Sequence, residues 1–374
     1  MLESIQLRNF KAARNLAVRL EALTLLAGLN GSGKSTVMQS IAVLRQSHVG
    51  GICMDLNFGG PLVFLGQWSD VISEGAYDEA ISFSVRESGR EFTWVAAAPE
   101  SGRQTLTSRP ADAARGFWTT PHFQYLQADR IVPRTLYPRS NQSVEQSGFL
   151  GGHGEFTADF LATNAKQTVS EGRLCARQGV DLDSKTWDQI APTPLLLDQV
   201  AGWLQQISPG VHLQAEPVAG TDEVVLRFRY IGGAAGSSNY YRPTNVGFGL
   251  TYSLPILAAC LSAPPGSLLL IENPEAHLHP QGQLKMGELL ARCAADGVQC
   301  LVETHSDHIL NGVRLSVKKA LLQADSVALH NFRRDVVTGE CYSEMPALTA
   351  DGQISNWPKG FFDQWEKSLD ALLD

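Results

Sequence analysis

Long hydrophobic runs are missing from this sequence, and cysteines are few. No stretch of eighteen consecutive apolar residues occurs, and residues 1–30 lack a basic segment followed by an apolar one. We therefore expect neither a transmembrane helix nor a signal peptide, and predict a cytoplasmic protein with no membrane partner. The six cysteines form no C-x-x-C pair and no zinc-type spacing, so we expect reduced thiols.

Positive charge is also in short supply. The formal net charge is −8, which argues against a broad surface that coats nucleic acid. Basic residues do cluster locally, so DNA stays an alternative ligand for a single groove. The clusters are Arg130 with Arg134 and Arg139, Lys318 with Lys319, and Arg333 with Arg334. No heptad pattern is sustained, which excludes long coiled-coil arms.

The order of apolar segments predicts an α/β fold. The first twenty residues alternate apolar and polar positions, and residues 23–27 are continuously apolar, which indicates a hairpin followed by a buried strand. Two strand-like segments flank Ser88 and Gly89, as in an antiparallel meander. After Gly249, helical and strand patterns alternate. That alternation predicts a parallel sheet with helices on both faces.

Residues 28–36 read GLNGSGKST and match the phosphate-binding pattern G-x-x-x-x-G-K-[ST]. The glycines let backbone N–H groups converge on phosphates, and the following helix adds the positive end of its dipole. We expect Lys34 to reach the β- and γ-phosphates and the Ser35 hydroxyl to bind Mg²⁺. ATP and Mg²⁺ are thus the predicted ligands. The predicted nucleotide contacts are Gly28, Asn30, Gly31, Ser32, Gly33, Lys34, Ser35 and Thr36.

Residues 267–280, SLLLIENPEAHLHP, supply the predicted second half of the site. Glu272 ends a buried strand and is expected to hold magnesium. The segment resembles the magnesium strand of ABC-type ATPases, in which the residue before the proline is a second acid that polarises the attacking water. Here that residue is Asn273, and an amide can orient water but cannot accept its proton. Glu275 is the nearest acid that can substitute, unless it is only a surface or interface acid. His305, in LVETHSDHIL, is placed to sense the γ-phosphate, and the alternative is a structural histidine.

A metal centre is the rival interpretation of the same region. Carboxylates and imidazoles are close together in the sequence, as in metal-dependent nucleases or phosphatases. The residues concerned are Glu275, His277, His279, His305, Asp307 and His308.

Together these motifs resemble the ABC-ATPase branch that includes SMC proteins, RecF and the overcoming-lysogenization-defect (OLD) ATPases. More narrowly, the chain is similar to bacterial and archaeal ATP-binding proteins that end in a domain of unknown function. The segments NFKAARNL, YLQADRIVP, GGHGEF, RPTNVGFGLTYSLPIL and NWPKGFFDQ extend the resemblance over nearly the whole chain. It implies a P-loop NTPase of α/β class, an ABC-type head with an antiparallel β subdomain and an inserted α/β segment.

The resemblance also implies head-to-tail homodimers around two nucleotides. In such dimers a glycine-rich helix start caps the γ-phosphate of the opposite subunit, and the residues in that position here are Asn245, Gly247 and Gly249. The alternative is a helix cap without a ligand. A Q-loop glutamine is expected as well, with Gln67 as the candidate and Gln127 as its competitor.

Five segments follow from these matches. They are 1–45 (head with the phosphate loop), 46–135 (antiparallel β insertion and Q-loop), 136–240 (inserted helical and β segment), 241–330 (head with the second half-site) and 331–374 (C-terminal family-specific domain). In the last segment, Trp357, Phe361, Phe362 and Trp365 are spaced as an apolar helix face, either for packing or for a partner.

OLD proteins carry a nuclease after the head, but the residues after His305 contain no D-x-D. The resemblance therefore suggests a slowly hydrolysing ATPase that switches a separately encoded effector, for example in anti-phage defence. The alternatives are a RecF-like DNA-processing or repair ATPase and an ATP-dependent scaffold that does not hydrolyse.

Overall fold

The computed structural model describes residues 1–49, 51–98, 105–110, 116–176, 190–231 and 237–373. These residues fold into two units. Unit 1 takes the described residues within 1–120, 301–307 and 323–373, and unit 2 takes those within 121–300 and 308–322. The five-segment division stays a prediction, because each unit combines distant stretches of the chain.

The described strands are β1 (Leu2–Phe10), β2 (Ala13–Arg19), β3 (Leu23–Gly28), β4 (His48–Val49), β5 (Ile52–Cys53), β6 (Ala80–Glu87), β7 (Arg90–Ala97), β8 (Thr105–Ser108), β9 (Phe123–Leu126), β10 (Leu136–Pro138), β11 (Val211–Pro217), β12 (Glu223–Tyr230), β13 (Leu268–Glu272), β14 (Gln299–Glu303), β15 (Val327–Arg334), β16 (Cys341–Glu344), β17 (Ala347–Leu348) and β18 (Ile354–Ser355). The described α-helices are α1 (Lys34–Ser47), α2 (Trp68–Val71), α3 (Thr157–Thr163), α4 (Leu196–Leu204), α5 (Phe248–Ser262), α6 (Pro280–Ala295), α7 (Asp307–Lys318) and α8 (Gln364–Leu373).

Unit 1 contains an antiparallel sheet with the strand order β2-β1-β6-β7-β8. In β6 the buried side chains alternate with half-exposed ones, because successive residues of a strand face opposite sides of the sheet. Ser88 and Gly89 form the two-residue turn between β6 and β7, with φ angles of 52° and 74°. Positive φ at both positions is the geometry of a type I′ turn. The predicted meander is confirmed.

The second sheet region of unit 1 has the order β16-β15-β3-β14. β3 pairs with β15 in parallel and is buried along nearly its whole length, which is why its sequence is continuously apolar. Gly28 ends this strand at a φ of 136°, and a Cβ there would lie 2.3 Å from the carbonyl oxygen of Phe332. Only glycine fits this position, so the phosphate-loop sequence begins where β3 leaves the sheet.

In unit 2, β9 and β13 pair in parallel, and β10, β12 and β11 form an antiparallel sheet in that order. α6 and α7 cross at two glycines. A Cβ on Gly287 would lie 2.3 Å from the carbonyl oxygen of Ile309, and one on Gly312 would lie 2.2 Å from that of Leu284. The α/β fold class is confirmed, with the alternating helices and strands after Gly249 in the predicted order.

The predicted helical spacing of the C-terminal aromatic residues is wrong. Residues 357–363 are not helical, and α8 begins only at Gln364. The φ of 52° at Phe362 lies outside the range of a right-handed helix. Phe361 is buried and packs against Trp357, with ring centroids 5.7 Å apart. The side chain of Trp365 lies outside the described part of the chain.

Within the described ranges, no helix is both long and apolar enough to span a bilayer. All six cysteines are buried free thiols.

Candidate nucleotide-binding site

The loop between β3 and α1 has the backbone of a phosphate-binding loop. Gly31 and Gly33 have φ angles of 75° and 98°, in the left-handed region that glycine adopts without strain. α1 begins at Lys34, with Gly33 as its N-cap residue, and Thr36 is buried in its first turn. Backbone N–H groups at such a helix start attract anions. The Ser32 hydroxyl is buried and has no hydrogen-bond partner among the described residues, so a phosphate oxygen would satisfy it.

Lys34 and Ser35 converge on one carboxylate, that of Glu303. The Ser35 hydroxyl donates to Glu303 Oε2 at 2.7 Å, and Lys34 Nζ lies 3.6 Å from Glu303 Oε1. Lys34 Nζ also donates to the carbonyl oxygens of Gly28 and Leu29 at 3.0 and 2.9 Å. The ammonium of Lys34 is thus held directly beneath the loop, with only 3% of the residue exposed.

Glu303 is a site residue that sequence reasoning missed. It ends β14, and the N–H of the next residue, Thr304, donates to the carbonyl oxygen of Leu26 in β3 at 3.1 Å. His305 follows and is exposed. The sequence does hold a signal, since an acid that ends a buried parallel strand is placed at the carboxyl edge of its sheet, where such sheets bind ligands.

In unit 2, Glu272 ends β13 with both carboxylate oxygens occupied. Tyr125 donates its hydroxyl hydrogen to Oε1 at 2.5 Å, and the N–H of Ala128 donates to Oε2 at 3.0 Å.

The two Q-loop candidates lie in different places. β9 and β13 run parallel with Ile271 opposite Leu126, so Gln127 comes next to Glu272 at the same sheet edge. Gln67, the other Q-loop candidate, is the N-cap of the short helix α2 in unit 1, where Gln67 and Asp70 form a reciprocal capping box.

Arg130 is the structural support of the segment that carries Glu272. Its guanidinium donates to the carbonyl oxygens of Glu272 and Asn273 at 2.7 and 2.5 Å. Burial lowers the pKa of Arg130 to about 10, with Glu275 among the groups that oppose the shift, so the side chain is still charged at neutral pH. Only 3% of the residue is exposed. Arg130 is therefore not part of a basic surface, and Arg139 from the same cluster is paired with Asp159 at 3.1 Å.

The backbone conformation at position 273 favours asparagine. Its φ is 45°, in the left-handed region that asparagine tolerates better than glutamate does. Its side-chain Oδ1 is buried and lacks a hydrogen-bond partner among the described residues. An amide oxygen of this kind can accept a hydrogen bond from water, although it cannot take up the proton.

We predict that Arg130→Lys will lower the free energy of unfolding by about 2–3 kcal/mol, because a lysine cannot donate to both carbonyl oxygens in the same forked geometry. Urea denaturation measures the change. Arg134→Lys is the matched control, since Arg134 is exposed. Equal effects from the two substitutions would show that Arg130 does not support this segment.

The predicted helix start in unit 2 lies at the N-terminus of α5. Gly247 is its N-cap residue, and Asn245 ends the preceding short 3₁₀ turn. A Cβ on Gly249 would lie 2.6 Å from the carbonyl oxygen of His277, so this glycine lets the helix approach the segment after Glu272. The His277 ring packs against Tyr252 at 4.5 Å between centroids.

The described residues give no support to the rival metal interpretation. His277 packs against aromatic rings, and His279 caps α6 by accepting from the N–H of Gln281 at 3.4 Å. Among the described residues, no three His, Cys, Asp or Glu side chains are grouped closely enough to hold a metal ion.

Comparisons with known proteins give two family matches. Residues 23–311 match the family described as "AAA domain, putative AbiEii toxin, Type IV TA system", and residues 322–372 match "Protein of unknown function (DUF3696)". A search of curated proteins gave no match.

Solved structures of SMC heads are similar to the chain. A head bound to the C-winged helix domain of ScpA has 15% identity and a TM-score of 0.51, with 93% of this chain and 98% of that chain covered. A head with an extended coiled coil, bound to the C-terminal domain of ScpA from Pyrococcus furiosus, has 14% identity and a TM-score of 0.48, with 100% and 99% covered. The head from Thermotoga maritima has 13% identity and a TM-score of 0.42, with 92% and 98% covered.

At these identities the likeness shows the fold alone, which is the P-loop NTPase fold of SMC-type heads. The first family match spans well over half of the chain. The protein therefore belongs to this AAA-domain family of ATPases.

Proposed function

We propose that this ATPase is a nucleotide-controlled switch. Mg-ATP binds at residues 28–36, two copies associate head-to-tail, hydrolysis is slow, and the nucleotide state controls a separately encoded effector. The observation that carries the proposal is the loop itself, in which glycines have left-handed φ angles. Lys34 is buried, Ser35 is half-buried, and both side chains contact the Glu303 carboxylate.

The residues present fit a magnesium nucleotide. Ser32 offers a buried hydroxyl without a partner in the described chain, and the start of α1 offers backbone N–H groups. Lys34 would pair with the β- and γ-phosphates, and Ser35 would bind the cation. Bound there, Mg²⁺ would neutralise part of the phosphate charge. For Glu272 the support is its motif together with a carboxylate held ready by Tyr125 and Ala128.

Slow hydrolysis follows from the chemistry of residue 273. The amide of Asn273 can orient a water molecule but cannot act as a general base. We assign the Q-loop role to Gln127, because Gln67 already caps α2, whereas Gln127 follows β9 next to the end of β13. We keep His305 as the proposed γ-phosphate sensor, which is consistent with its exposure at the end of β14.

Association with a partner is supported by two of the comparisons with known proteins. The description of the matching family names a toxin of a type IV toxin–antitoxin system. That description favours an ATPase that acts within a multi-component system, such as one for phage defence. The SMC head that matches with a TM-score of 0.51 is bound to a domain of another protein, ScpA.

Gly247 provides the test of head-to-tail association. A Cβ at this position meets nothing within 4 Å, and its backbone angles of −61° and 136° suit any residue. Gly247→Gln should therefore fold normally and still bind nucleotide through unit 1. If the start of α5 contacts the nucleotide of the second subunit, the added side chain should weaken association at least tenfold.

Sedimentation velocity with Mg-ATPγS measures this effect. Gly172→Gln is the matched control, because a Cβ on Gly172 meets only an Asp296 oxygen, at 4.0 Å. We expect dimers of the wild type and of the control, and monomers of Gly247→Gln. Dimers of Gly247→Gln at wild-type strength would place the interface elsewhere, and wild-type monomers at saturating nucleotide would refute the switch.

A further inference from the structure

We propose that Glu303 is the positioning carboxylate of the magnesium site, a role that the sequence motifs give to no residue of β14. The inference rests on the proposed binding of Mg-ATP at residues 28–36. It concerns how this chain makes that binding depend on magnesium.

The hydrogen bond between Ser35 and Glu303 orients a metal ligand. Ser35 donates its hydroxyl proton to Glu303 Oε2 at 2.7 Å. A hydroxyl that donates to a carboxylate keeps both oxygen lone pairs for another partner. Carboxylates that hold metal ligands in this way fix ligand orientation, and their loss typically costs about 10–100-fold in metal affinity.

Because Glu303 is buried, its negative charge acts strongly on groups that bind nearby. Glu303 is 7% exposed and Lys34 is 3% exposed, so water screens neither group well. Lys34 Nζ stands 3.6 Å from Glu303 Oε1 and also donates to two loop carbonyl oxygens. A nucleotide without metal would bring its phosphate charge close to this carboxylate, which is repulsive. A nucleotide with Mg²⁺ would bring a cation, which the same carboxylate attracts.

Residue 273 adds no carboxylate to the proposed magnesium site. The residue after Glu272 is a neutral amide, so the usual second acid of the motif contributes no charge there. In unit 1, Glu303 instead places a carboxylate directly on the hydroxyl that is expected to bind the cation. Glu303 thus acts through Ser35 and through its charge, and it links nucleotide affinity to magnesium.

Binding of mant-AMPPNP with MgCl₂ and with EDTA tests the inference without relying on turnover. We define the magnesium coupling as the dissociation constant in EDTA divided by that in MgCl₂. Glu303→Gln should bind more tightly than wild type in EDTA and more weakly in MgCl₂, so the coupling should fall at least tenfold. A residue with a merely structural role would weaken binding equally in both buffers and leave the coupling unchanged.

Three further variants complete the experiment. Glu303→Asp keeps the carboxylate and should retain most of the coupling, which also covers the case that Glu303→Gln folds poorly. Glu303→Gln in a Ser35→Ala background should reduce the coupling by a smaller factor than it does in the wild type, because the hydroxyl through which Glu303 acts is absent. Glu91→Gln, on an exposed residue of β7 in unit 1, is the matched control and should behave as wild type.

Wild-type coupling in Glu303→Gln, or a loss in Glu303→Asp equal to that in Glu303→Gln, would overturn the inference. Wild-type protein that binds the nucleotide in neither buffer would instead overturn the proposed function, and this inference with it.

Discussion

Replacing Lys34 with alanine is expected to weaken Mg-ATP binding by at least about 100-fold. The Lys34 ammonium already donates to the carbonyl oxygens of Gly28 and Leu29 within the loop, so it is positioned for anions that bind there. A hydrogen bond to a charged group contributes about 1.5–3 kcal/mol, and two of them toward phosphates give at least about 3 kcal/mol, or roughly 100-fold in affinity.

Isothermal titration calorimetry with Mg-AMPPNP measures the loss. Lys319→Ala is the matched control, because Lys319 is exposed and belongs to unit 2. Thermal unfolding of Lys34→Ala must remain cooperative, since the substitution also leaves the buried Glu303 carboxylate without its nearby ammonium. A folded Lys34→Ala variant that binds nucleotide as tightly as wild type would refute the site assignment.

Gly287→Ala is expected to cause the largest loss of stability. The added methyl group would lie 2.3 Å from the carbonyl oxygen of Ile309 and 3.2 Å from Gly312, so α6 and α7 would have to move apart. Forcing extra atoms into packed structure costs about 1–3 kcal/mol and occasionally more, and backbone atoms have little freedom to adjust. We expect a loss of about 3 kcal/mol in the free energy of unfolding, against a gain of at most about 1 kcal/mol from the helix propensity of alanine.

Gly312→Ala should act in the same way, because its Cβ would lie 2.2 Å from the carbonyl oxygen of Leu284. Guanidinium denaturation of both variants measures the change. Gly172→Ala is the control, since its Cβ would meet only an Asp296 oxygen at 4.0 Å. If Gly287→Ala were as stable as the control, the close approach of the two helices would be wrong.

The phosphate loop was readable from the sequence because its function is local. The glycines, Lys34 and Ser35 lie within nine residues, and each has a conformational or chemical reason that its neighbours reveal. The turn at Ser88 and Gly89 was predictable for the same reason. Glu303 was missed because its partner Ser35 lies 268 positions earlier in the chain, and no local pattern records that contact.

Charge and spacing misled the sequence interpretation in two places. The sequence indicated that Arg130 is one of three clustered surface arginines. In the structure its guanidinium is buried and donates to two backbone carbonyl oxygens, a contact that composition cannot predict. The aromatic residues after Trp357 have helical spacing, but Phe362 adopts a left-handed φ that interrupts the helix. The φ of 45° that favours asparagine at position 273 could not be predicted from the motif either.

Single-turnover hydrolysis of Mg-ATP tests the central claim most directly, namely that ATP bound at residues 28–36 is the substrate of this protein. We predict phosphate release above that of the Lys34→Ala variant, at a rate well below the roughly 10 per second typical of enzymes. Loss of this turnover in Glu275→Gln would identify the acid that replaces a glutamate at position 273. Release by wild type equal to that of Lys34→Ala would contradict the claim that this chain hydrolyses ATP.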